Sequence, residues 1–285
     1  MFDVDYIRPP DLGSALDFLS THGADTKILA GGTDIMVDMR SGALKTRFLL
    51  DVGRLDDLRK IEMQDGQLSI GAAVTITEIL ESDTVAEMAP ALKKAASQFA
   101  GRQIRNVATI GGNVAHCSPC GDTIPPLLIH DAVAVVMTAK GQRHVTIEEI
   151  AGGPYHCALL PNEIISHFVL KPKPREVTFA DFQKIGRRQE LAIARISMAA
   201  MAHKDTDGAI VYMRFALGSC TPTPHRAREI EQYLTGIVPA EKIFWKAGKL
   251  LAEKMLNITG RRPSAVYKQP AIQGLFMRMM RPLIQ

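Results

Sequence analysis

Residues 29–40 read Leu29-Ala30-Gly31-Gly32-Thr33-Asp34-Ile35-Met36-Val37-Asp38-Met39-Arg40, and the same arrangement returns at Thr109-Ile110-Gly111-Gly112-Asn113. Each is a paired glycine that follows a β-like run and precedes a small polar residue. Glycine pairs let the backbone fold until several N–H groups point into one concavity, a nest that holds phosphate without lysine. Thr33, Thr109 and Asn113 add side-chain hydrogen-bonding groups. A single Gly-Gly is ordinarily just a turn; two in one domain make a shared anion site an equal alternative.

Working outward from the first pair, Asp11 precedes Leu12, Ala15, Leu16 and Leu19 at helical spacing, and Gly23 stands where that helix stops. Lys27–Ala30 and Phe48–Val52 are short strands, with an ambiguous stretch through Arg40 between them. Asp65-Gly66 suits the positive φ angles of a hairpin turn joining 61–63 to 68–70. Pro90 opens a helix carrying Leu92, Ala95, Ala96 and Phe99, closed by Gly101. Around the second pair, 104–122 reads as ordered loop and short strand. Strands are expected at 132–137, 145–147 and 164–170.

Lys171-Pro172-Lys173-Pro174-Arg175 is the linker, because its prolines favour extended chain and remove sheet donors. It divides the chain into 1–174, with subdivisions near 1–55 and 56–174, and 175–285. Beyond it, strands at 177–185, 193–201 and 210–217 precede helices at 223–234 and 240–256, an antiparallel sheet followed by helices. The fold class is α+β. The apolar tail Leu275–Met280 has two readings, packing on its own chain or on another subunit.

Composition excludes several classes. Of 285 residues, 46% are hydrophobic and 22% charged, which rules out disorder. The net charge of +4 is spread along the chain, so nucleic acid is not implied. No run approaches the ~20 apolar residues of a membrane span, and no signal peptide is visible at the N-terminus. Four cysteines are too sparse for a disulfide scaffold and fit the cytoplasm. No G-x-G occurs and no phosphate-binding loop ends in Gly-Lys, so both common nucleotide fingerprints are absent. Cys117-Ser118-Pro119-Cys120 lacks a second ligand pair at useful spacing, and no metal site is assigned.

The segments LAGGTDIMVDMR (29–40) and QFAGRQIRNVATIGGNVAHCSPCGDTIPPLL (98–128) resemble the two signatures of the FAD-binding subunits of molybdenum hydroxylases, the xanthine dehydrogenase and carbon monoxide dehydrogenase flavoproteins. MFDVDYIRPP, NEIISHFVL, FADFQKIGRR and GSCTPTPHRA follow in the family's order. The resemblance implies a two-part FAD-binding domain of the vanillyl-alcohol-oxidase-like type, then a smaller α+β domain. It implies non-covalent FAD whose pyrophosphate lies between Leu29, Ala30, Gly31, Gly32, Thr33, Asp34 and Ile35 and the facing Thr109, Ile110, Gly111, Gly112 and Asn113, held largely by backbone N–H groups. Asp122 would take ribityl or ribose hydroxyls, although it is also placed to cap the following helix. Phe99 and Ala100 would lie near the cofactor, Ile164 and Ile165 beside the isoalloxazine ring, and Lys184, or its neighbour Gln183, would complete the site.

The resemblance further implies an electron-transfer role. A molybdopterin-binding large subunit and a small subunit with two [2Fe–2S] clusters would be the partners, and NAD or another molecule the acceptor. The cofactor carries the redox chemistry, so no catalytic side chain is assigned. Two rivals remain at this point: a self-sufficient FAD-dependent oxidase, and a non-enzymatic nucleotide-binding subunit whose glycine loops are structural.

Overall fold

The computed structural model describes residues 3–188 and 191–284. The chain opens with β1 (Asp5–Ile7), α1 (Leu12–His22), β2 (Thr26–Leu29), α2 (Ile35–Ser41) and β3 (Phe48–Asp51). The three strands form a parallel sheet in the order β1-β3-β2. Asp11 caps α1 by accepting the Ser14 N–H at 2.7 Å, and Leu12, Ala15, Leu16 and Leu19 form its buried stripe. The ambiguous stretch is resolved as α2, which starts directly after the first glycine pair and ends on Gly42 at φ 75°.

Next come β4 (Ile61–Gln64) and β5 (Gln67–Gly71), joined through Asp65 and Gly66 at φ 51° and 74° as the hairpin signal requires. Seven helices or helical turns lie before the linker beyond this point. They are α3 (Ile76–Glu81), α4 (Asp83–Met88), α5 (Pro90–Gln98), α6 (Arg102–Arg105), α7 (Ile110–Ala115), α8 (Ile124–Ile129) and α9 (Ile147–Ile150). Strands β6 (Val133–Thr138) and β7 (Gly141–Thr146) precede α9, and β8 (Ala151–Gly153), β9 (His156–Cys157) and β10 (Ile164–Leu170) follow it. The large sheet runs β4-β5-β10-β6-β7 and is antiparallel throughout.

Two expectations change here. The 104–122 segment is helical at α6 and α7 rather than loop and strand, and the second glycine pair lies inside the first turn of α7. Its only β-like feature is an isolated bridge between Thr75 and Thr109. Helix α7 forms despite two glycines because Thr109 caps it and the surrounding core fixes it, so tertiary contacts override weak propensity. Ile147 begins α9 instead of ending a strand, since Thr146 and Glu149 close a capping box there. Short α3 and α4, capped by Thr75 and Ser82, were not expected from the apolar spacing.

After the linker, β11 (Phe179–Ile185), β12 (Ile196–Lys204), β13 (Ile210–Gly218) and β14 (His225–Arg226) make an antiparallel sheet in sequential order. Helices α10 (Arg228–Leu234), α11 (Glu241–Thr259) and α12 (Ala265–Met280) cover it. The helix expected from residue 223 starts later because β14 occupies its first part. Strand β12 is buried on both faces: Ala199 and Met201 join the core of the first part, while Met198, Ala200 and Ala202 join a second core with Phe215, Phe244 and Phe276. This follows from the alternation of strand side chains. The apolar tail is α12 itself, with Leu275, Phe276, Met279 and Met280 in that second core, so it packs on its own chain.

Polar contacts join the same two parts. Arg226 forks onto Glu231 at 2.9 and 2.6 Å and pairs with Asp131 at the end of α8. Arg228 pairs with Glu148 at 2.9 Å. At the linker, His130 donates from Nδ1 to the Lys171 carbonyl at 2.8 Å and its own carbonyl accepts the Lys171 N–H at 3.2 Å. Among the described residues no helix is long and apolar enough to cross a membrane.

Candidate functional site: a cleft between two glycine loops

A cleft of about 730 Å³ opens between the parallel sheet and the second glycine pair. That volume lies in the range of small-molecule and cofactor sites. Of the residues singled out from sequence, Ala30, Gly31, Gly32, Thr33, Asp34, Ile35, Phe99, Thr109, Gly111, Gly112, Asn113, Ile164 and Ile165 line it. Leu29, Ala100, Ile110, Asp122 and Lys184 do not. Leu29 is the last residue of β2, and Ile110 is fully buried behind the loop. Ala100 sits beside Phe99 at φ 31°, a backbone conformation an alanine rarely adopts.

The two loops are joined by close backbone approach. A Cβ on Gly31 would lie 2.0 Å from the Val107 carbonyl oxygen, and one on Gly111 would lie 2.7 Å from both Cβ and the carbonyl oxygen of Ala72. These two glycines are therefore demanded by the protein's own packing. Gly32 instead needs its hydrogen for φ 70°, and a Cβ on Gly112 would touch only Thr109 Oγ1, at 3.0 Å.

The loops differ in their donors. In the first, the N–H groups of Gly31, Gly32, Thr33 and Asp34 have no protein acceptor among the described residues. In the second, Ile110 N–H donates to the Val74 carbonyl at 3.0 Å, Gly111 to Ala72 at 2.9 Å and Asn113 to Thr109 at 3.0 Å, while Gly112 donates to Thr109 Oγ1 at 3.1 Å. Backbone donors are open along the whole first loop, whereas in the second only the Thr109 N–H lacks an acceptor among the described residues. The second contributes side chains: Thr109 keeps its hydroxyl proton, and Asn113 spends its Oδ1 on Thr123, at 2.7 Å to Oγ1, leaving the amide –NH2 as a donor.

Opposite walls differ in polarity. Ile164 and Ile165 open β10, packing into the small N-terminal core and the large core respectively, and Phe99 lies against the large core. Near the polar loop, His116 Nε2 is 3.7 Å from Asp34 Oδ1, and its ring meets Tyr155 edge to face at 5.3 Å. Tyr155, Cys157, Ala72 and Ala73 line the cleft without having been singled out for it. The 155–157 stretch shows no periodicity; β9 pairs with β8, and the residues flanking it, Tyr155 and Ala158, donate to the Cys117 and Ile150 carbonyls.

Behind the second loop, Lys184 on β11 contacts Asp122 Oδ2 at 2.5 Å, both side chains nearly buried. The neighbouring Gln183 turns away to Asp181 and Arg278. Thr123, not Asp122, occupies the position before α8, so the carboxylate is no helix cap. Burial pushes the Asp122 carboxyl up to about 6 against the pull of the Lys184 ammonium. Its Oδ1 is buried without a hydrogen-bond partner among the described residues.

An array of free backbone donors beside an apolar wall suits a molecule with a diphosphate at one end and a flat ring system at the other. The comparisons agree. Residues 2–173 match the FAD binding domain in molybdopterin dehydrogenase, and 181–283 match the CO dehydrogenase flavoprotein C-terminal domain. The xanthine dehydrogenase FAD-binding subunit of Escherichia coli O157:H7 is 36% identical over 234 residues, covering 81% of this chain and 80% of that one. The nicotinate dehydrogenase FAD-subunit of Eubacterium barkeri is 28% identical over 284 residues, covering 98% and 95%. A carbon monoxide dehydrogenase structure from Hydrogenophaga pseudoflava, lacking the Mo-pyranopterin moiety of its cofactor, superposes with a TM-score of 0.90 at 25% identity, over 98% of this chain and 96% of that one. The chain belongs to the family of FAD-binding subunits of the molybdenum hydroxylases, oxidoreductase components of multisubunit complexes.

Proposed function

We propose that this subunit holds FAD in the cleft with its pyrophosphate on Gly31–Asp34, and passes electrons received from [2Fe–2S] clusters of a small subunit to NAD or another acceptor. The observation that carries the reading is the set of unpartnered N–H groups at Gly31–Asp34. When bound, the flavin supplies the exchange between one-electron and two-electron partners.

The chain's own residues bind and orient. Gly32 turns the first loop so that its donors converge, and the Thr109 hydroxyl and Asn113 amide face them from α7. Ile164, Ile165 and Phe99 keep water from the ring end. Asp122, fixed by Lys184, offers its spare oxygen to a hydroxyl of the cofactor, and Leu29, Ile35, Ala100 and Ile110 shape the backbone around it. The division between residues 174 and 175 belongs to this reading, supported by two family matches that flank the linker. The molybdopterin-binding subunit would carry the substrate chemistry. Free cysteines support a place in the cytoplasm.

An absorption spectrum of the purified chain, followed by heat release and identification of the flavin, tests the binding site. FAD bound by the wild type and lost from a folded Gly32→Val variant supports it; FAD held equally by both overturns the placement of the pyrophosphate. Electron delivery is read in the assembled complex, where substrate should reduce the flavin and NAD reoxidise it. Flavin reduction by a small substrate without partner subunits would instead favour a self-sufficient oxidase.

A further inference from the structure

We propose that Cys117 and Cys157 are an oxidisable thiol pair in the wall of the cleft, which hydrogen peroxide converts into an intrachain disulfide. Cys157 lies on β9, half-buried, and lines the cleft. Cys117 follows α7, is buried, and sits at φ 51°. The backbone holds the two together from both sides. The Cys117 carbonyl accepts the Tyr155 N–H at 2.9 Å, and the Cys117 Sγ lies 3.6 Å from the Ile150 carbonyl, which also accepts the Ala158 N–H at 2.9 Å. Residues on either side of Cys157 are thus tied to Cys117 or to its hydrogen-bond partner. Cys157 also packs against the buried cluster to which Cys117 belongs.

The pair is unequal in the way such chemistry needs. Cys157 lines the cleft, and the neighbouring Cys117 thiol, with help from the Leu159 N–H and Lys27, pulls its thiol down to about 7 against burial. A large share is therefore thiolate near neutrality, the form that attacks peroxide. Cys117 is pushed up by the neighbouring Cys157 and by burial, so it stays protonated and protected until its neighbour reacts. Cys220, pushed up to about 12 by burial, is an internal control of low reactivity.

The step balances with hydrogen peroxide as the oxidant. The Cys157 thiolate attacks one peroxide oxygen, the O–O bond breaks, and the departing hydroxide takes a proton to become water, leaving a sulfenic acid. The Cys117 sulfur then attacks Sγ of Cys157, the S–O bond breaks, and the hydroxide released takes the Cys117 proton as a second water. Two thiols lose two electrons and one peroxide gains them. The product ties the end of α7, which carries the second glycine pair, to β9 across the cleft wall.

The test uses the full chain as purified, freed of reductant and exposed to a small excess of hydrogen peroxide, with flavin bound and with flavin removed. Intact mass, alkylation of remaining thiols under denaturing conditions and non-reducing peptide mapping read the result. The expected outcome is loss of two hydrogens, two alkylated thiols at Cys120 and Cys220, a Cys117–Cys157 cross-linked peptide, and reversal by dithiothreitol. In Cys117→Ser the oxidation should stop at a Cys157 sulfenic acid trapped by dimedone. Four alkylated thiols, a cross-link between Cys120 and Cys220, or Cys157 sulfinic acid without any cross-link would each overturn the proposal. The reaction needs only protein and peroxide, so a chain that cross-links yet binds no FAD keeps the thiol pair and defeats the proposed function.

Discussion

At Gly31-Gly32 the backbone donors are left open toward the cleft, whereas at Gly111-Gly112 the protein takes every one of them. The two pairs are alike in sequence, each followed by a residue with a short polar side chain, and both border the same cleft. What separates them is the neighbour. The first loop packs on Val107 at Gly31 but makes no hydrogen bond there as it turns into α2, while the second is hydrogen-bonded to 72–74 and rolls into α7 at once. A glycine pair therefore reports a close approach of backbone, without telling whether a ligand or the protein makes that approach.

The largest expected effect concerns the brace behind the second loop. Asp122→Ala strands the buried Lys184 ammonium and should lower stability by ~3–5 kcal/mol, measured by chemical unfolding without flavin. A loss under about 1 kcal/mol would mean that solvent reaches this pair and that the second loop is not braced from β11. Next, Gly31→Val should cost ~3 kcal/mol or more through overpacking against Val107, again irrespective of flavin, because the clash is between protein backbones. A variant as stable as wild type that merely loses flavin would move Gly31 into the ligand-facing class.

Protonation offers a milder way to strain the second side. Burial pulls His130 from 6.5 down to about 4, so between those values the unfolded chain binds more protons and stability rises with pH. The contribution is fully present above 6.5 and declines as pH falls toward 4, by up to ~3 kcal/mol at ~1.4 per pH unit. Urea unfolding across that window should show this slope in the wild type and a flatter one in His130→Gln; parallel slopes would remove His130 as the cause. The smallest effects separate the loops most cleanly. Thr109→Ala should cost ~1 kcal/mol as a lost helix cap. Gly112→Ala should leave the flavin-free melting temperature nearly unchanged while weakening flavin retention, read by the free FAD after gel filtration. If Gly112→Ala retains flavin as the wild type does, the second loop does not meet the cofactor at that residue.

Much of the architecture was legible locally. Asp11 with its stripe of leucines, Asp65-Gly66 and Pro90 each act within a few residues, through capping or φ preference. The 104–122 stretch was misread for the opposite reason: α7 contains two glycines and stands on contacts with 72–74 rather than on its own propensity. The C-terminal apolar run was ambiguous because covering one's own sheet and covering a partner require the same residues. Tyr155 and Cys157 carried no local signal, since β9 pairs with β8 and the residues flanking it donate to the Cys117 and Ile150 carbonyls.

By itself the sequence determined that two glycine pairs, a hairpin and a later antiparallel sheet exist, because each depends on short-range stereochemistry. The tertiary structure decided which pair keeps its donors, that Lys184 rather than Gln183 reaches Asp122, and that β12 serves two cores at once. Those outcomes depend on which backbone and side chains arrive from distant positions, and hydrogen-bond donors are satisfied by whatever stands nearest in space.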